Sequence, residues 1–510
     1  MGDLAGGRVR PYVGLGVVLL LLLGIAGAAA QPPAPRTVAV DVEVPADAAD
    51  ATSSGISTAD LQAGSEVGGA GGTSTPGSSG GGGPSGAGSP AAGTAGGSPV
   101  VVGGGRAGGA GRTARTYPDP GVSDTEIRVG GSTFTSGPAA VYGEQIAVGF
   151  AAGVNYVNER GGINGRRVVL KIYDDQGDPA KQLANVKRLV EVDKVFALSM
   201  AYAPIAGDYV AQRGIPVYHL GQFNEEFTNP WWFPLGGPQR LASYATAWFL
   251  GKRLQAKSVA IFYLDAGAAN YSQAYAASVK KDYEAYGMQV PVLAGFAPDQ
   301  TSCSDAIGKA RDAAVDFIVF EIDASKTINC GVEAQIQNYK PPKGWGGYLI
   351  GVPVIHEALG DWSIGMYAFD AFGANYEVKD YVDAVRKVSS KTESYSSVTA
   401  SYFIAALLMR DSIAALGDDI SRARLRDTLN TFTDWTPGLT TDPNQPRWTW
   451  RPNCHAALKG GYVIQIKKQK DGKLKWEQIT PQFRSTPLPP GHSVPSDFAG
   501  CDIFTNGDPT

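Results

Sequence analysis

Apolar residues recur along this chain at two spacings that alternate. From Gln145 to Asn158 they follow the three-and-four spacing of an amphipathic helix, and the run ends at Gly161-Gly162, where glycine supplies the left-handed cap that stops a helix. The apolar Val168-Val169-Leu170 then reads as a strand that closes on Tyr173-Asp174-Asp175 and Gly177-Asp178-Pro179, and a new helix opens at Ala180. The unit repeats. Strands are predicted at Glu126–Gly130, Val195–Ser199 and Ile215–Tyr218, with helices at Ala180–Val192 and Ile205–Arg213 and a loop at Phe134–Pro138 that opens a helix through Tyr142. Near Leu235 to Ser243 the pattern restarts. Helices are predicted at Leu241–Leu254, Tyr271–Tyr286, Cys303–Ala314 and Cys330–Asn338, alternating with strands at Ser258–Tyr263, Val290–Ala294, Asp316–Phe320 and Gly347–Gly351. Alternating β and α units of this size predict α/β lobes with parallel sheets covered by helices on both faces, and two similar lobes in tandem imply a cleft between them. Ligands of such sheets sit at the carboxyl ends of the strands.

The N-terminal part reads differently. Arg8 and Arg10 precede an apolar run from Tyr12 to Ala30, and Ala28-Ala29-Ala30-Gln31 offers a small-x-small cleavage site: a secretory signal. An uncleaved membrane anchor is the alternative, because the run approaches the ~18 to 20 residues a bilayer requires. No cysteine follows the run directly, which argues against a lipid anchor there. Between Ala46 and Thr116 glycine, serine, alanine, proline and threonine dominate; such a segment cannot bury enough apolar surface to offset its entropy and is expected to be a disordered tether, or an unselected low-complexity insertion. Gly77-Ser78-Ser79-Gly80-Gly81 matches a nucleophile elbow only by chance, since an elbow needs a strand before it and a helix after it.

Composition narrows the function class. The chain has 510 residues with 43% hydrophobic composition, enough for more than one domain, and its 44 basic and 48 acidic side chains give no sign of a nucleic-acid partner. Its four cysteines, Cys303, Cys330, Cys454 and Cys501, all fall in the folded part. After export an even count implies two disulfides, and pairing neighbours in sequence is the simplest of three connectivities; each would add ~3 to 4 kcal/mol by the chain-entropy argument. A zinc site would need a CxxC spacing, which is missing, and the four histidines are scattered.

Taken in order, Ile127-Arg128-Val129-Gly130, Ser136-Gly137-Pro138 with Tyr142-Gly143, Gly161-Gly162-Ile163-Asn164-Gly165-Arg166, and Asp174-Asp175 with Asp178-Pro179 resemble the type I periplasmic solute-binding proteins, in particular the leucine/isoleucine/valine-binding branch that serves ABC importers. The resemblance covers roughly Val122 to Gln478. It implies two Rossmann-like lobes joined by three crossovers, placed near Gly237, Gly365 and Thr436. The domains then read 1–30 signal or anchor, 31–121 linker, 122–240 plus 366–435 lobe I, and 241–365 plus 436–510 lobe II. The helix Val398–Leu416 would return to lobe I and the strand Tyr462–Lys467 would join lobe II. The tail after Gln478 is expected to be irregular and tied down only by Cys501.

Strand-end geometry selects the candidate ligand-binding residues. In lobe I these are Ser136, Tyr142, Ala201, Tyr202, His219, Gln222 and Phe223; in lobe II, Asn270, Tyr271, Glu321 and Asp323. Tyr142 stands where the family places an aromatic wall, and core packing is its competing role. Glu321 and Asp323 are the carboxylates placed to receive a ligand ammonium. Amino-acid-binding members hold the ligand's charged ends with serine and threonine hydroxyls, which Met200, Ala201, Gln222 and Phe223 largely replace here. Since an unpaired desolvated ion costs several kcal/mol, the substitutions favour a larger, apolar or aromatic compound, or an amide, over a branched-chain amino acid.

Gly161 to Gly165 follows a helix and precedes a strand, the wrong order for a phosphate cradle, and no HExxH or P-loop appears. Asp174 and Asp175 point to opposite faces of a strand end and cannot act together as acid and base. The reading is therefore an exported, extracytoplasmic, cell-surface or cell-wall-associated solute-binding protein, not an enzyme, needing no cofactor or metal. Its partners would be a small-molecule ligand and an ABC permease, with membrane contact only through an uncleaved N-terminal segment. A tethered ligand sensor or interaction module of the same fold is the alternative, and an exported enzyme a remote one.

Overall fold

Strand and helix alternate through the folded part as the spacing predicts, and the order in which strands pair shows how the chain divides. The computed structural model describes residues 115–137, 140–200, 204–221, 224–265, 271–348, 350–370, 378–390, 396–439, 445–458 and 460–510. The expected signal or anchor, the linker up to residue 114, and the candidates Ala201, Tyr202, Gln222, Phe223 and Asn270 lie outside them.

The first segment runs β1 (Glu126–Thr133), α1 (Ala140–Glu159), β2 (Arg167–Asp174), α2 (Pro179–Glu191), β3 (Ala197–Met200), α3 (Pro204–Gln212), β4 (Val217–His219), α4 (Asn224–Thr228) and β5 (Trp232–Pro234). Its strands form a five-stranded parallel sheet in the order β2-β1-β3-β4-β5. The second segment runs α5 (Gln239–Trp248), β6 (Ser258–Leu264), α6 (Gln273–Ala285), β7 (Gln289–Phe296), α7 (Ser304–Asp312), β8 (Phe317–Glu321), α8 (Ala324–Ile336), β9 (Trp345–Tyr348), α9 (Pro353–Leu359) and β10 (Tyr367–Asp370). The chain then returns to lobe I as α10 (Lys379–Val388), α11 (Ser397–Ala414) and α12 (Arg422–Leu429), and ends in lobe II with β11 (Tyr462–Lys468), β12 (Leu474–Gln478), β13 (Thr486–Pro487) and β14 (Phe504–Thr505). The lobe II sheet is ordered β12-β11-β10-β9-β8-β6-β7, with β11 antiparallel to both its neighbours.

Lobe I is built around α1 and α11, which are apolar on nearly every side and therefore buried. Two glycines let them touch. A Cβ on Gly149 would lie 2.3 Å from the Thr399 carbonyl oxygen, and one on Gly153 would lie 2.6 Å from the Ala406 Cβ, so any larger residue there would push the helices apart. The glycine turn after α1 also has a packing role. Gly162 (φ 71°), Asn164 (φ 51°) and Gly165 (φ 80°) are left-handed, and the Asn164 amide donates to the carbonyls of Ala414 (3.1 Å) and Gly417 (3.4 Å). The turn therefore caps the far end of α11, satisfying carbonyls that a helix terminus leaves open.

Several boundaries move. The second crossover falls after Asp370, not near Gly365, because Tyr367–Asp370 pairs with β9 and β11 inside the lobe II sheet. The third falls between Leu458 and Tyr462 rather than near Thr436, since Trp448, Trp450 and Leu458 are buried in the lobe I core. The linker, expected through residue 121, gives way earlier: the Tyr117 hydroxyl accepts from Arg166 (2.7 Å) and donates to Asp124 (2.9 Å). The helix expected over Leu241–Leu254 changes to a π-helical turn at Phe249–Arg253. The tail is packed, not merely tied at Cys501: Phe483, Phe498 and Ile503 are buried, and β13 pairs with β14. The disulfides are Cys303–Cys330 and Cys454–Cys501, the sequence-neighbour connectivity. No helix among the described residues is long and apolar enough to cross a membrane.

Candidate functional site

The carboxyl ends of β1, β3 and β4 in lobe I and of β6, β8, β9 and β10 in lobe II converge on the interlobe cleft, as parallel α/β topology requires. A direct bond spans it. Tyr142, in the first turn of α1, accepts from the backbone N–H of Ala324 at 2.9 Å, and its ring packs against both the lobe I core and the lobe II core. Burial holds the phenol well above its ordinary range, so it stays neutral.

The other candidates are placed as follows. The Ser136 hydroxyl and backbone N–H both donate to Asp174, fixing the loop between β1 and α1. Neighbouring Asp175 serves the opposite side, accepting from Ser132 (2.8 Å) and Gly177 N–H (3.0 Å). His219 is fully buried in lobe I, edge-on to Trp232 at 4.8 Å, and burial lowers it to about 3. Its Nδ1 lies 3.9 Å from Glu226. Tyr271 is half-buried and directly precedes Ser272, the N-cap of α6. Asp323 caps α8 by accepting from Lys326 N–H (2.9 Å) and pairs with the Lys326 ammonium (3.2 Å). The structure thus brings Tyr142 and the Asp323–Ala324 loop together, while Ser136 is bonded, and His219 packed against Trp232, within lobe I.

Glu321, at the end of β8, is 6% exposed and accepts from the Gln239 amide at 2.9 Å. Burial raises it to about 7. Gln239 is the first residue of α5, immediately past the first crossover, so this bond ties the crossover to the strand that leads into Ala324. Nearby, Asp282 is also raised to about 7 by burial, although Arg240 (2.8 Å from Nη2) and the Ser243 hydroxyl (3.1 Å) both donate to it. The Tyr348 hydroxyl donates to the Gly237 carbonyl (3.3 Å), a second tie from lobe II to the first crossover. Burial raises the Tyr348 phenol, and the charges of Asp370, Glu321 and Glu226 add to the effect, so carboxylates of both lobes lie around it. Sequence reading missed Gln239, Arg240, Asp282 and Tyr348. Gln239 and Glu321 are 82 residues apart and Arg240 and Asp282 are 42 apart, and no local spacing links them.

Two α/β lobes joined by three crossovers, with strand ends facing across a cleft, define a hinged two-lobe binding fold. Residues 126–473 match the family described as periplasmic binding protein, and the chain belongs to that family. Among its relatives, the leucine-, isoleucine-, valine-, threonine- and alanine-binding protein of Pseudomonas aeruginosa is 24% identical over 286 residues, covering 52% of this chain and 74% of the relative. The Leu/Ile/Val-binding protein homolog 1 of Brucella abortus is also 24% identical, and the match spans 38% of this chain and only 53% of that relative. In fold, the chain is similar to a branched-chain amino acid ABC transporter protein from Thermus thermophilus with bound valine (TM-score 0.62, 15% identity, 71% of this chain and 97% of that one). It is also similar to a branched-chain amino acid transporter substrate-binding protein of Streptococcus pneumoniae in complex with isoleucine (TM-score 0.58, 18% identity, 70% and 100%).

Proposed function

We propose that this protein is an exported, extracytoplasmic solute-binding receptor that captures a small molecule between its lobes and presents the closed form to an ABC importer. The observation that carries the reading is the Tyr142–Ala324 bond, a lobe-to-lobe contact at the strand ends. A ligand that touches both strand-end sets would favour the closed state by its contacts shared across the cleft. The family and the printed specificities of its relatives support small-molecule capture. The ligand class we favour is an amide, or an amino-acid-like compound with an aromatic or apolar body. Buried Glu321 and Asp370 suit a donor-rich head, and Met200 in place of a hydroxyl anchor, together with Ser136's bond to Asp174, disfavours a free carboxylate end.

Thermal-shift screening of the purified protein against amino acids, amides, ureas and aromatic acids tests this. A true ligand at 100 times its Kd should stabilise the fold by about 2.7 kcal/mol. Absence of any shift across these classes would overturn the reading. With a ligand in hand, Tyr142→Ala should abolish binding while leaving a cooperative melt.

A further inference from the structure

We propose that the C-terminal segment from Phe483 to Thr505 is a disulfide-pinned strap that limits how far the two lobes can open. The proposal concerns the hinge of the fold and holds whatever the ligand is. The segment starts from lobe II. Phe483 is buried in the lobe II core beside Trp248, with ring centroids 5.5 Å apart. Thr486–Pro487 then lies along α5, the Tyr286 hydroxyl donates to the Leu488 carbonyl at 3.3 Å, and His492 Nε2 stands 3.3 Å from Asp282.

The same segment ends on lobe I. Cys501 is bonded to Cys454, which lies before the third crossover. Its neighbour His455 is anchored in lobe I: its N–H donates to the Phe227 carbonyl (3.1 Å) and its Nδ1 to the Trp232 carbonyl (2.5 Å). Phe498 packs edge-on against Phe227 of α4 at 6.5 Å. One buried cluster results, with Phe227, Cys454 and Ala456 from lobe I, Leu241 and Tyr244 from lobe II, and Phe498 and Ile503 from the tail. The strap also runs beside the pivot: Thr486 shares a cavity of about 60 Å³ with Gly237, Asp370, Leu458 and Gly460, residues of all three crossovers.

The covalent bond alone would not restrain the hinge. The stretch from Pro487 to Cys501, fully extended, could span roughly 45 to 50 Å at about 3.3 to 3.6 Å per residue. The restraint comes from bond and packing together. The disulfide keeps the tail on lobe I, and Leu241, Tyr244, Phe498 and Ile503 must leave their shared apolar contact before the lobes can swing apart.

The test places spin labels, through a non-cysteine side chain, at exposed Val192 in lobe I and exposed Ile336 in lobe II of the full chain. The distance distribution is then measured by pulsed electron resonance without ligand. The unaltered protein should give one narrow distribution. Cys454→Ser with Cys501→Ser, and separately Phe498→Ala with the disulfide intact, should each broaden it and lengthen its mean by several ångströms. Cys303→Ser with Cys330→Ser, which removes the bond inside lobe II, should lower the melting temperature and leave the distribution unchanged. A distribution unmoved in both strap variants overturns the proposal. Equal broadening in the lobe II variant overturns it too, because the effect would then be general destabilisation. Should the double serine variant fail to fold, the Phe498→Ala protein decides.

Discussion

The two lobes share an architecture, and burial acts on a pair of histidines in one and on a pair of carboxylates in the other. Lobe I encloses His219 and His455 among aromatic rings, and burial lowers them to about 3 and about 4. Lobe II encloses Glu321 and Asp282, and burial raises both to about 7. The consequences for stability run in opposite directions. Below 6.5 the unfolded chain takes up histidine protons that the native lobe I refuses, so lobe I loses stability as pH falls from 6.5 towards 3. Above the ordinary carboxylate values of 4.5 and 3.8 the unfolded chain releases protons that native lobe II retains, so lobe II loses stability as pH rises towards about 7, then levels off. Equivalent folds can thus be given opposite pH responses, both below neutrality, by which group each one hides.

Breaking one lobe at a time exposes this contrast. The largest effect is expected from Trp345→Ala in lobe II: this fully buried indole packs against Phe320 and Trp362, with centroids 6.1 and 6.5 Å away. Truncation should cost about 3 to 5 kcal/mol in urea unfolding; a loss below about 1 kcal/mol would mean that the ring is not a core element. Gly149→Val strikes lobe I instead, and overpacking against the α11 backbone should cost about 1 to 3 kcal/mol. Glu321→Gln sharpens the contrast without removing a packed group. It should lessen the fall in stability between about pH 4.5 and 7, leaving the share of Asp282 and the acid-side loss from His219 in place; an unchanged pH profile would show that Glu321 ionises normally. The smallest effect belongs to Tyr142→Phe, which removes the bond to Ala324 N–H. Its net worth of about 0.5 to 1.5 kcal/mol should weaken ligand affinity by a few-fold, measured by calorimetry, with little change in melting temperature.

The fold was largely legible because its signals are local. Apolar periodicity and Gly/Pro punctuation located β1 to β4 and β6 to β9, together with most of the helices between them. Short elements escaped. Trp232–Pro234 has three residues and ends in proline, and Tyr367–Asp370 is a strand only because two neighbours already offer it their edges. Helix α8 starts at Ala324, six positions before the Cys330 that apolar spacing predicts, and Asp323, expected as a cleft carboxylate, serves as its cap. The strand-end loops were legible, but the bonds made there were not. Tyr142 and Glu321 could be chosen as strand-end residues, but their partners, Ala324 and Gln239, lie 182 and 82 residues away and are set by tertiary packing alone.

The glycine-mediated contact of α1 with α11 also bears on the order of assembly. Gly153 and its partner Phe403 are separated in the chain by the whole of the second segment. At a synthesis rate of about 5 to 20 residues per second, α1 is made roughly 10 to 50 s before the helix that covers it. Until then the face of α1 that meets α11 has no native mate, while most of the lobe II sheet, from β6 to β10, is already present. Lobe II is therefore positioned to fold first, and lobe I is the half that needs shielding on the way.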